Sequence, residues 1–148
     1  MRHFRGTRLL ALLVVAALSP VPSFAAHWVV VGKPAGHPNG KVMVDTDSLQ
    51  KADPFIMVDI MTVYDTPLMN SHDITLDSFV QKTAFDCAMR TSVGVSTTGY
   101  LKGKPVGSSR EIPDWRSRME PLPDDTISNR IYVTVCESAA SKPKSKAK

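Results

Sequence analysis

Short β-prone runs broken by turn residues fill the chain from residue 27 to residue 106. His27–Gly32 is the first, ended by glycine. Pro34, Gly36, Pro38 and Asn39-Gly40 make residues 33–40 a turn, since these residues fix or free the backbone where a chain reverses. Lys41–Asp45 predicts a second short strand, and the polar stretch 46–54 a connection. Phe55–Tyr64 is the strongest strand signal, rich in β-branched and aromatic residues and starting straight after Pro54. Ile56, Val58, Ile60 and Tyr64 fall on one of its faces, and Phe55, Met57, Met61 and Val63 on the other. A strand apolar on both faces is a central strand covered on both sides. Asp59 interrupts the second face and requires a partner if buried.

Residues 65–77 mix turn formers with scattered apolar positions and predict a surface loop. Ser78–Val95 predicts one long bent strand or two shorter ones, with Gly94 and Gly99 marking a bulge or bend. Tyr100–Val106 is a hairpin with Lys102-Gly103 at its tip. Residues 107–123 are an irregular excursion, rich in Gly, Ser and Pro, with Trp115 as its core anchor. Asp124, Asp125 and Thr126 offer helix caps. Beyond them Ile127, Ile131 and Val135 recur at helical spacing, yet the β-branched run suits a strand equally. The pattern alone leaves residues 126–138 open between the two. Without a repeat or a second apolar block, one domain is expected over residues 26–138.

The ends of the chain change the meaning of its charge. Arg2, Arg5 and Arg8 precede an unbroken apolar run, Leu9–Leu18, followed by Pro20, Pro22 and small residues at 23 and 25. This order predicts a signal peptide over residues 1–25, cut after Ala25. The run is half the roughly 20 residues a membrane-spanning helix needs, so no integral membrane segment is expected after cleavage. No cysteine follows the cut to carry a lipid anchor. The formal net charge of +4 falls to +1 without the leader, and to −3 once Lys142, Lys144, Lys146 and Lys148 are set aside. The basic balance therefore belongs to the two ends, and a nucleic-acid partner is not expected. Residues 139–148 are expected to be a disordered lysine-rich tail. It is read first as a solvated terminus, and second as a weak contact for polyanionic surfaces through those four lysines.

The two cysteines, Cys87 and Cys136, are 49 positions apart. An even count in an exported chain points to a disulfide. Closing such a loop constrains the unfolded chain by about 4 kcal/mol on the chain-entropy model, a large share of the roughly 5–15 kcal/mol that holds a domain together. Redox chemistry would favour a Cys-x-x-Cys spacing, and a zinc site would need two more ligands. His27, His37 and His72 stand at no fixed spacing to either cysteine.

Motifs that carry chemistry are missing. The sequence holds no nucleophile elbow, no His-Glu-x-x-His, no phosphate-cradling glycine loop and no paired-carboxylate motif. His72-Asp73 is a fragment of a dyad in a polar loop, where solvation is the ordinary fate. The methionines (Met43, Met57, Met61, Met69, Met89, Met119) are dispersed, which suits core filling better than copper binding. No enzyme, cofactor or metal is expected. A small enzyme would require a pocket in which His72, Asp73 or Asp59 converge.

From Trp28 to Cys136 the order of features resembles the bacterial surface-adhesin protein E-like family. The elements that carry the resemblance are Trp28, Val44-Asp45-Thr46-Asp47-Ser48-Leu49, Phe85-Asp86-Cys87, the Gly99–Val106 hairpin, Trp115 with Glu120-Pro121, and Val135-Cys136. The resemblance implies an α+β fold: one antiparallel sheet of about six strands, with a C-terminal helix packed on one face and held by the disulfide. It thereby favours helix over strand for residues 126–138. It also implies a non-enzymatic envelope protein, periplasmic or displayed at the cell surface, that acts by contact with an envelope or extracellular-matrix protein. Dimers occur in the family, so a homodimer is among the expected states. The alternative is a periplasmic accessory domain with no host-binding role. The resemblance assigns no binding residue.

Overall fold

The computed structural model describes residues 26–108 and 111–141. The strands are β1 (Trp28–Gly32), β2 (Lys41–Ala52), β3 (Phe55–Met69), β4 (Thr75–Asp86), β5 (Thr91–Leu101) and β6 (Lys104–Ser108), each antiparallel to the next in one sheet. A two-residue β7 (Glu120–Pro121) pairs with β5 beyond the end of β6. The helix α1 (Thr126–Ser141) packs on one face, chiefly against β1, β2 and β3. Asp125 decides the helix start. Its carboxylate accepts the N–H groups of Ile127 (2.9 Å) and Ser128 (2.8 Å), donors that no helical carbonyl can reach. Helix is therefore the outcome where periodicity alone was undecided, and it runs on to Ser141 with Ala139 buried.

The two-sided β3 is built as expected. On the helix face Val58 and Ile60 join Val31, Val42, Val44, Phe85 and Val135 in the main core, against Ile127, Ile131 and Tyr132. On the opposite face Phe55 and Met57 pack with Ala84, Val95 and the buried Trp115. The Phe55 and Trp115 rings meet edge to face at 5.2 Å, so the 111–119 excursion is a lid pinned by one indole. Asp59 lies on this second face, and its cross-strand neighbour Lys82 is 3.2 Å away. Both are partly exposed, so the interruption has its partner.

Two stretches expected to be connections are strand. Residues 46–52 continue β2, because the register passes from Asp45↔Asp59 to Gln50↔Met57 through a bulge at 46–49. Ser48 Oγ donates to the Asp45 carbonyl (2.8 Å) and accepts the Asp59 N–H (2.8 Å), which holds the strands together through the bulge and lets Leu49 turn into the core. Residues 65–69 and 75–77 likewise belong to β3 and β4. The register moves from Val63↔Ser78 to Leu68↔Leu76 across a second bulge at 64–67. A bulge breaks the two-residue period that identifies a strand, and this is why both stretches read as loops.

Ser78–Val95 resolves into two strands, with Cys87 and Met89 in the turn between them and a bulge beside Gly94. The β5–β6 hairpin turns at Lys102 and Gly103, both at positive φ (51° and 73°). A non-glycine residue is uncommon there, and Lys102 is tied down by its N–H to Asp77 Oδ2 (2.6 Å). Cys87 and Cys136 are joined, with Cα atoms 5.9 Å apart. Around them the same turn grips α1 without covalent bonds. Tyr132 donates to the Cys87 carbonyl (2.6 Å), and Arg90 donates to Asn129 (2.8 Å) while lying over the Tyr132 ring at 4.8 Å.

Candidate binding groove

The helix covers only part of its face. Towards the other end of the strands, that face forms a groove of about 540 Å³ between the β3–β4 hairpin and β5–β6. Two aromatic rings from neighbouring strands make its floor, Tyr64 of β3 and Phe79 of β4, with centroids 6.1 Å apart. The bulge at 64–67 bends the hairpin so that its tip leans over β5 and β6. Room for that comes from Gly99 and Gly107, which are cross-strand partners. A methyl on Gly99 would stand 3.2 Å from Leu76 Cδ2, and one on Gly107 3.1 Å from Ile74 Cδ1. The hairpin's side chains thus rest where two glycines leave space. Met69 stands at the groove with 67% of its surface exposed.

The hairpin tip has a fixed shape. Asn70 Oδ1 accepts the N–H groups of His72 (2.9 Å) and Ile74 (3.0 Å), and the Asn70 carbonyl accepts the Asp73 N–H (3.1 Å). Asp73 sits at φ 56°, a conformation that an aspartate tolerates in such a turn. Behind the floor, His37 of the 33–40 turn meets the Tyr64 ring edge-on at 4.8 Å and bonds Asp65 Oδ1 through Nδ1 (2.6 Å). Asn39 N–H adds a bond to Asp65 Oδ2 (3.2 Å). The hydrogen bond from His37 is the chief reason the Asp65 carboxyl is held below the usual carboxylate range. Burial pushes the Tyr64 phenol above its usual value, so the floor is neutral at physiological pH.

The groove is mostly apolar, with a few polar groups (Asn70, His72, Thr97, Ser108) around it. Its strength is in taking up apolar side chains. It lies beside β6, the end strand of the meander, which pairs among the described residues only with β5. A free strand rim beside an apolar groove is the geometry by which an extended segment binds through both backbone and side chains.

The residues singled out in the sequence fare differently. Cys87 and Cys136 are brought together. His72 lines the groove, Asp73 is not among its lining residues, and Asp59 is on the opposite sheet face. Among the described residues no three His, Cys, Asp or Glu side chains cluster as a metal site, and no helix is long and apolar enough to cross a membrane. Met57 and Met119 fill the second core, and Met69 and Met89 are exposed. Ala25 and the four tail lysines lie outside the described residues. The groove itself was missed. Its signals were the apolar Leu68, Ile74 and Leu76 inside a polar stretch, and two glycines whose pairing only the register reveals.

The sequence profile of the family described as Surface-adhesin protein E matches residues 28–137. The chain belongs to that family. No individually curated protein matches it. Membership of the adhesin E family suggests a surface adhesin, and the disulfide is in keeping with an exported protein. Of the residues that carried the resemblance, Gly99 lines the groove, and the following are scaffold in this adhesin E chain. Asp45 accepts the N–H groups of His27 (3.1 Å) and Asp47 (3.0 Å), and Ser48 spans the β2 bulge. Phe85 is core, and Asp86 accepts two N–H groups of the β4–β5 turn. Glu120-Pro121 is β7. None of these is among the groove's lining residues.

Proposed function

We propose that this chain is an exported, non-enzymatic binding protein of the cell envelope that acts as an adhesin through protein–protein contact, with the groove as its contact site. The leader is removed after Ala25, and the mature protein works outside the cytoplasm. Its partner is an extracellular-matrix protein that offers an extended segment. The segment's backbone runs along β6, and its apolar side chains enter between Met69 and the Tyr64–Phe79 floor. The observation that carries this reading is the preformed apolar groove beside a free strand rim, on a chain of an adhesin family. Preformed apolar grooves with few polar groups are the commonest form of binding site.

Saturable binding of the purified mature chain to immobilised matrix proteins is expected, and Met69→Asp should weaken it at least tenfold. Because Met69 is exposed, this change leaves folding intact and isolates the contact. Unsaturable binding, or equal binding by the variant, would remove the groove from the account. Protease treatment of intact cells should cleave the protein. Complete protection would move its role into the periplasm.

A further inference from the structure

A second cavity lies on the helix face, under the first turns of α1. On β4, Gln81 and Thr83 interrupt an apolar run between Phe79 and Phe85. Thr83 is 6% exposed, and its hydroxyl is buried with no hydrogen-bond partner among the described residues. Across the ladder from it stands Gly94, where a methyl would overlap Gln81 Nε2, so the missing side chain makes room for the Gln81 amide. These polar groups and Ser92 share with Ile60, Ile127 and Ile131 a cavity of about 290 Å³. That is at the small end of ligand pockets and about twice the roughly 150 Å³ that admits benzene.

We propose that this cavity binds a small neutral amphiphile, with its hydroxyl or amide head on Thr83 and Gln81 and its apolar body against the helix. Burying a hydroxyl without a partner weakens a fold, and Thr83 carries one among Ile60, Phe85, Ile127 and Ile131, where packing alone does not call for it. Thr83 and Gln81 can each donate and accept, which matches a head group that does both. An anion is disfavoured. The N-terminal N–H groups of α1 that would hold it are already bonded to the Asp125 carboxylate, which also accepts from Ser128 Oγ (2.6 Å). A negative charge thus occupies that helix end.

The test uses the mature chain and 1-hexanol, followed by amide and methyl NMR shifts. Saturable shifts at Thr83, Gln81, Ile127 and Ile131 are expected, with hexanoate at pH 7 binding at least tenfold more weakly. Thr83→Val keeps the shape and removes the hydroxyl. It should weaken hexanol binding about fivefold or more while leaving the melting temperature unchanged or raised. Gly94→Ala, which displaces the Gln81 amide and spares Thr83, should also weaken binding. The proposal is overturned if the shifts are unsaturable or confined to the groove around Met69. It is equally overturned if Thr83→Val binds as well as the native chain, or if that variant melts lower because the hydroxyl was already satisfied.

Discussion

The two ends of one sheet face are closed by different means. At one end α1 sets Ile127, Ile131 and the fully buried Val135 against Val42, Val44 and Ile60, and a covalent tie holds the helix down. At the other the sheet's own hairpin bends back over a pair of glycines and leaves apolar side chains around an open groove. Both ends are largely apolar, but only the first is roofed by a helix, which leaves the smaller cavity of about 290 Å³ under its first turns. Stability is thus concentrated under the helix, and the unfilled apolar surface under the hairpin is available for binding. Mutations at the two ends should therefore separate melting from binding.

The largest effect is expected from replacing Cys87 and Cys136 together with serine. Loss of the crosslink should cost about 4 kcal/mol and lower the melting temperature by roughly 15 °C. Below the melting transition, matrix binding should persist, because no groove residue touches the bridge. An unchanged melting curve, or binding lost while the fold remains, would break the division between the ends. Next comes Val135→Ala, a truncation in the packed end. It should cost near the low end of the ~2–5 kcal/mol typical of buried aliphatic side chains. Met69→Ala at the open end should change stability by less than about 0.5 kcal/mol, and denaturant titration of both variants reads the contrast directly.

The packed end was largely legible in the sequence. The face of β3 could be read from Ile56, Val58 and Ile60, the bridge from the cysteine count, and the helix from Asp125 with Ile127, Ile131 and Val135 once the family resemblance had broken the tie. Each of these signals is local or periodic. The open end depends on register instead. Tyr64 and Phe79 read as ordinary strand residues, Ile74 and Leu76 as stray apolar positions in a loop, and Gly99 as a bend. Only the four-residue bulge at 64–67 brings them to one place, and its residues Tyr-Asp-Thr-Pro carry turn signals that hide a strand continuing through it. Thr83 was illegible for a related reason. A threonine in a strand is unremarked until the face opposite it proves to be apolar.

The smallest effect concerns the support behind the groove. Asp65 titrates below the ordinary range because His37 and Asn39 donate to it. A carboxyl with a lowered folded pKa contributes stability above its unfolded value, near 4, and that contribution is lost as pH falls through the folded value. Asp65→Asn should therefore melt slightly below the native chain at pH 6. The gap should close as the pH falls below the ordinary carboxylate range, and a gap that stays constant through that range would show that the Asp65 carboxylate contributes no pH-dependent stability. Any loosening of the 33–40 turn should reach the groove through Tyr64, so the same variant should bind matrix protein somewhat less well at neutral pH.

The hub around Cys87 also bears on how the chain matures. With two cysteines there is only one intramolecular pairing, so no wrong bridge needs to be reshuffled and no isomerase is required to reach the right one. The contacts of Tyr132 and Arg90 join the same turn and helix that the bridge joins, without a covalent bond. The bridge is thus a latch laid over contacts that also hold the helix, and the error left to avoid is crosslinking between two chains.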